Sequence, residues 1–215
     1  MSSMTSAISE RIPSAERREQ ILGAASLVFG ERGYFGATTD QIAKAAGISQ
    51  PYVVRMFGSK ETLFVEVLQR ALDKLMTSFQ STIDEWKADG SPAGEDGAVG
   101  EHHEIGRRLG LAYVNLIEDR GILLSLMQAF GMGNDAVVGG IAREGFLGIY
   151  KMVRDQVGFS PDEARSFLAE GMLLNTLLGL KLPAEYGKDV CATEIIESTF
   201  RTKLQLVLDV AGESA

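Results

Sequence analysis

From Thr38 to Lys60 the chain reads TTDQIAKAAGISQPYVVRMFGSK, a stretch that admits little besides two short helices and a tight turn. Thr38 and Gln41 stand three apart ahead of an apolar pattern, the spacing at which a hydroxyl and a side-chain amide close a helix start reciprocally. Ile42, Ala43 and Ala46 give that helix one apolar face. Gly47 is the expected left-handed stop, because glycine alone takes positive φ without steric cost. Ser49 is placed to cap the next helix, and Pro51 falls in its first turn, where a missing N–H costs nothing. Two helices around a glycine-containing turn form the helix-turn-helix pattern, whose second helix enters the DNA major groove.

The flanks extend this pattern. Upstream, Ser14 to Gly33 carries Ile21, Leu22, Ala25, Val28 and Phe29 at helical spacing. Downstream, Ser59 precedes a helix that runs without Gly or Pro to about Lys87. The residues R-R-E-Q-I-L-x-A-A-x-x-x-F-x-E-R-G-Y (17 to 34), T-x-x-x-I-A-x-A-A-G-I-S (38 to 49) and F-G-S-K-E-T-L (57 to 63) stand at set spacing over roughly the first 70 positions. In these the chain resembles the TetR (tetracycline-repressor-like) family of transcriptional regulators. The resemblance implies a three-helix head, residues 1–58, joined by a long helix to a larger helical body, residues 59–215, for ligand binding and dimerisation. It also implies a four-helix dimer interface built from the last two long helices, about 161–180 and 190–210. The body carries no motif of its own, so the resemblance implies fold there and not ligand.

Charge divides along the same line. The net charge is −8, yet residues 1–70 hold eight basic against seven acidic side chains, giving +1. Residues 71–215 hold thirteen against twenty-two, giving −9. A basic patch on the head must therefore be built by placement, and the acidic body is kept from phosphate. With 45% hydrophobic content a real core is affordable, and no apolar run approaches the length of a membrane span. The N-terminal MSSMTSAISERIP lacks the apolar region of a secretory signal, and the single cysteine, Cys191, fits a reducing compartment, so the cytoplasm is the expected location. Cys191 reads as a small buried hydrophobe beside Asp189, without the basic neighbours of a redox sensor.

The body reads as further helices over 102–119, 121–132, 135–157, 161–180 and 190–210, with a Gly-rich acidic loop at 89–100. Ser160-Pro161-Asp162-Glu163 is a capping box with proline at the first position. Phe167, Leu168, Met172, Leu173, Leu174, Leu177, Leu178 and Leu180 make the helix after it apolar almost all round, which demands burial both within a subunit and against a second one. No segment alternates at period two, so the chain is predicted to be all-α.

Candidate DNA contacts follow from position. Thr38 and Thr39 lie at a helix N-terminus that attracts phosphate, and Lys60 is placed for another phosphate. Gln50, Pro51 and Tyr52 open the second helix of the motif. Glutamine can pair with adenine, and Pro and Tyr can meet a thymine methyl. Arg55, one turn on, can reach guanine or phosphate. Packing within the head is the other reading of Tyr52. In the family a phosphate-contacting tyrosine is usual where this chain has Val54, a part that Tyr52 can take. For a ligand, Met76, Phe79, Trp86, Tyr113, Met127, Phe130, Phe146, Tyr150 and Met172 are candidates to line an adaptable pocket, against the alternative that they are core. Asn175, a lone amide on an apolar helix, orients a ligand or bonds across the dimer.

Enzyme chemistry finds no support. The chain has no phosphate-binding Gly loop and no nucleophile elbow, and its two histidines form one doublet, His102-His103. Next to Glu104 that doublet hints at a metal, but adjacent residues do not share a helix face, so no metal and no cofactor is expected. The expectation is a homodimeric, sequence-specific DNA-binding regulator on a palindromic operator, a repressor released by a small apolar or amphipathic ligand. The alternative is a helical protein-interaction module without ligand response.

Overall fold

The computed structural model describes residues 13–90, 98–116, 119 and 121–212, with the backbone alone for 98–103, 202, 211 and 212. Among the described residues the chain is helical, with no strand. Its α-helices are α1 (Ser14–Gly36), α2 (Thr39–Ala45), α3 (Gln50–Phe57), α4 (Lys60–Ala88), α5 (Ala98–Asn115), α6 (Ile122–Gly131), α7 (Val138–Met152), α8 (Pro161–Gly179), α9 (Val190–Phe200) and α10 (Leu204–Gly212). A five-residue wide turn of helix, Val153–Val157, extends α7 and ends at Gly158, and a short tight turn, Leu182–Glu185, joins α8 to α9. The all-α expectation holds.

The head closes around side chains from four helices. Ile21 and Phe29 of α1, Ile42 of α2, Val53 of α3 and Leu63 and Phe64 of α4 are all fully buried. Phe29 meets Phe64 edge to face at 4.9 Å between centroids, a geometry that adds to simple area burial. α1 bends at Gly33, whose φ of 71° lies in the region open to glycine. The bend turns Tyr34 onto Phe64, with centroids 4.9 Å apart.

α4 is the spine. Its 29 residues, at about 1.5 Å each, span roughly 43 Å. Ser59 caps it by accepting from the Thr62 N–H, and Leu63, Val67, Ala71, Leu75, Phe79, Ile83 and Trp86 form its buried stripe. The stripe begins in the head and ends in the body, where α5, α6 and α7 pack on it. α7 lies close because Gly145 has no side chain. A Cβ there would stand 2.5 Å from a Leu72 methyl.

Head and body are also locked through α6. Gly121, φ 88°, precedes α6 and rests against the Ser26 carbonyl of α1 so closely that a Cβ would overlap it. A Cβ on Gly30 would in turn stand only 3.0 Å from the Gly121 Cα. Gln128 of α6 donates to the Phe29 carbonyl at 2.5 Å. Beside this seat Asp119 accepts from Arg70 at 3.1 Å and from Lys74, and Arg70 also donates to Glu19 of α1 at 3.1 Å. The ion pairs join α1, α4 and the turn before α6, segments distant in sequence.

Two expectations change. The helix expected over 190–210 is interrupted, because Arg201 takes a left-handed φ of 43° and a tight turn, Arg201–Lys203, separates α9 from α10. Cys191 is exposed, not buried. Asp189 caps α9 by accepting from the Ala192 N–H, which turns Ala192 and Ile196 to the core and leaves Val190 and Cys191 outside. Leu173 and Leu180 of the helix 161–180 are exposed within the single chain, on the helix for which a second subunit is expected. Of the caps expected from local spacing, all but one form. Thr38 with Gln41 and Ser160 with Glu163 are complete capping boxes, although Ser49 stands at its N-cap position without a side-chain bond.

Two measurements check this packing. Gly121→Ala combines overlap with a left-handed backbone and should lose about 2 kcal/mol or more in denaturant unfolding. Gly110→Ala, on a helix with open space around it, should gain about 0.5–1 kcal/mol. Separately, hydrogen bonds from Arg107 first and Arg108 second hold the Glu104 carboxyl down at about 2 from 4.5. Its folded pKa is depressed, so its contribution is complete above about pH 4.5 and is lost as pH falls toward 2. Glu104→Gln should flatten the acid limb of stability between those values.

Candidate nucleic-acid interface

The two helices of the head present one exposed surface. α2 begins at the Thr38 box, where the Thr38 hydroxyl accepts from the Gln41 N–H at 3.2 Å and the Gln41 side chain accepts from the Thr38 N–H at 3.0 Å. Gly47 turns the chain with φ 65°, and the Ile48 N–H returns to the Ala43 carbonyl at 3.0 Å. α3 then buries Val53 and Phe57 and turns Gln50, Pro51, Val54 and Arg55 to solvent.

Each expected contact residue has a definite place. Gln50 donates from its side-chain amide to the Thr39 hydroxyl at 3.2 Å, linking the first residues of α3 and α2. Tyr52 is half-buried against the head core, with the Arg55 guanidinium 4.9 Å from its ring centroid. Arg55 is thereby held over the ring while its donors face outward. Lys60 is tied down more firmly than a free phosphate contact would be. Its ammonium donates to the Tyr34 carbonyl at 2.9 Å and the Ala37 carbonyl at 3.1 Å, and sits 4.7 Å from the Tyr34 ring centroid. One of its three donors is left over. Burial raises the pKa of the Tyr34 phenol, and the charges of Glu61 and Asp135 push it further.

Two exposed residues were not among the expected contacts. Val54 shares the outward face of α3, and Phe35, 85% exposed, stands at the end of α1 just before α2. The period of α3 carried the signal for Val54, since residues one turn from Gln50 and Pro51 must share their face. Asp40, an acid on the exposed face of α2, is bridged to Lys44 at 2.8 Å. Charge in the head is also balanced at Arg18, which pairs with Glu66 at 2.5 Å and lies 4.5 Å from the Phe57 centroid.

The candidate ligand residues separate into groups. Phe79 and Trp86 are buried core on α4. Met76 packs toward Gly148, and Phe130 meets Phe146 edge to face at 5.9 Å; Met127 is half-buried on α6. Tyr113 and Asn175 satisfy each other at 2.7–2.9 Å, and burial pushes the Tyr113 phenol up to about 12 against the lowering effect of the Asn175 hydrogen bond. One N–H and the carbonyl of Asn175 are thus engaged within the subunit. Phe146, Tyr150 and Met172, with Arg165, Leu168 and Ala169, line an open apolar groove of about 360 Å³ between α7 and α8. The side chains of His102 and His103 lie outside the described residues. Among those described, no cluster of three metal-ligating side chains forms. None of the helices is long and apolar enough to cross a membrane, among the described residues.

Comparison with known proteins centres on this surface. Residues 21–67 match the family model described as bacterial regulatory proteins, tetR family. The chain is 45% identical over 73 residues to the HTH-type transcriptional activator FasR of Mycolicibacterium smegmatis, covering 34% of this chain and 33% of that protein. It is 37% identical over 70 residues to the HTH-type transcriptional repressor KstR2 of the same organism, covering 33% and 34%. The match thus spans about a third of the length of these curated relatives. Over the whole fold the chain is similar to a TetR-like transcriptional regulator from Rhodococcus sp. RHA1, with a TM-score of 0.57, 21% identity, and coverage of 95% of this chain and 98% of that one. These relatives are named as regulators, not enzymes.

Lys60→Met tests the tie between α4 and the end of α1. Loss of two charge-assisted bonds on a partly exposed site should cost about 1–2 kcal/mol in denaturant unfolding, with unchanged m-value.

Proposed function

We propose that the chain, whose residues 21–67 match the model for bacterial regulatory proteins of the tetR family, is a homodimeric member of that family, a sequence-specific DNA-binding transcriptional regulator. Residues 1–58 act as the DNA-binding part and 59–215 as the sensing and dimerising part. The observation that carries this reading is the outward face of α3, where Gln50, Pro51, Val54 and Arg55 stand together beside the N-terminus of α2. Gln50 pairs with adenine, and Val54 and Pro51 meet thymine methyls. Arg55 reaches guanine or phosphate, and the N-terminus of α2 with Thr38 and Thr39 grips the backbone.

A second copy covers the outer faces of α8 and α9. Leu173, Leu180 and Val190 are 41%, 68% and 73% exposed in the single chain, a cost that a two-fold interface removes. Such a dimer sets two α3 helices about 34 Å apart and reads a palindromic operator. The ligand is small and amphipathic. Its apolar part suits the groove between α7 and α8, whose surface is almost wholly apolar. Binding shifts the population of body arrangements, and the seat of α6 on α1 passes that shift to the heads. Operator affinity then drops and repression is released, for a coupling of about 1–3 kcal/mol.

Fluorescence anisotropy with DNA from the protein's own upstream region, against scrambled DNA at two salt concentrations, tests the reading. Tight binding to the upstream fragment alone, weakened by salt, is expected. Equal weak binding to both fragments, with no enriched sequence from a genomic fragment selection, refutes it. The double variant Leu173→Glu, Leu180→Glu should sediment as a helical monomer and bind the operator at least about tenfold more weakly.

A further inference from the structure

We infer that Thr39 is a positioning residue for base readout, its hydroxyl holding the Gln50 amide in the one presentation that favours adenine over guanine; this rests on α3 being the recognition helix. Gln50 launches from a restricted backbone, because Pro51 follows it directly. Its amide donates one hydrogen to the Thr39 oxygen at 3.2 Å across the turn of the motif. The neighbouring Thr38 hydroxyl accepts instead from the Gln41 N–H.

The hydrogen-bond inventory supplies the consequence. A free glutamine amide carries two N–H hydrogens and one carbonyl oxygen. Adenine offers one acceptor, N7, and one donor, N6–H, whereas guanine offers two acceptors, N7 and O6. An unconstrained amide can turn both hydrogens toward guanine. Once Thr39 takes one of them, a single donor and a single acceptor remain, the complement of adenine. The carbonyl that would then face guanine O6 repels it. Accepting from Gln50 leaves the Thr39 hydroxyl hydrogen free to donate to a phosphate at the start of α2, so backbone contact and base readout are joined through one side chain.

The test uses the full-length chain and a randomised duplex pool. After selection, the wild type should prefer adenine over guanine by about tenfold at one position per half-site, and Gln50→Ala should erase that preference. Thr39→Val, isosteric and with the Thr38 box intact, should still bind but retain only about a twofold preference there. Thr39→Ser should restore the wild-type ratio. Circular-dichroism melting establishes that the variants fold. If Thr39→Val weakens every sequence equally and leaves the adenine-to-guanine ratio intact, Thr39 is a phosphate contact alone and the inference fails while the regulator reading stands. If Gln50→Ala leaves all preferences unchanged, Gln50 is not the reader and the inference also fails. Absence of any enrichment by the wild type overturns the regulator reading and this inference with it.

Discussion

The close seat of the α6 start on α1 is the constraint on which the arrangement of head and body depends. Gly121 lies against the Ser26 carbonyl, Gln128 reaches the Phe29 carbonyl, and Asp119 gathers Arg70 and Lys74 of α4. A backbone approach this tight admits no side chain and no sliding. Exposed ion pairs alone would hold such a joint weakly. Here they accompany a buried contact, and the buried cluster runs without a break from Ile21 of the head to Val207 near the end of the chain. Motion in the body therefore has a stiff path into the head.

Much of the head was legible because its signals are local. The Thr38–Gln41 box joins residues three apart, as the Ser160–Glu163 box does in the body, and Gly47 marks its own turn. Their chemistry depends on neighbours in sequence, so spacing alone predicts the geometry. The buried stripe of α4 follows from period in the same way.

What stayed hidden depends on partners far along the chain. Asp119 meets Arg70 across 49 positions, and Lys60 finds carbonyls 23 and 26 residues back. No pattern within a helix announces such pairs. Gly121 reads as one more turn glycine until α1 is seen against it. Cys191 looked buried by residue type, yet the Asp189 cap sets the phase of α9 and turns it outward. The Arg201 break costs backbone strain that local propensity argues against, and the sequence around it carries no stop signal. Among the candidate ligand residues, aromatic and methionine side chains serve core and groove alike, so type could not sort Phe79 from Phe146.

The length of α4 has a mechanical consequence. Lys60 pins the first turn of α4 to the end of α1, so the head follows that end of α4 as a solid piece. A rod of roughly 43 Å that tilts by about five degrees at one end carries the other through nearly 4 Å, close to the rise of one base pair. In the proposed two-fold pair, two such rods diverge by twice that amount. On the proposed reading the pair acts as a caliper whose jaws cannot bend, and a displacement too small to disturb its own core puts both jaws out of step with the helical repeat of DNA.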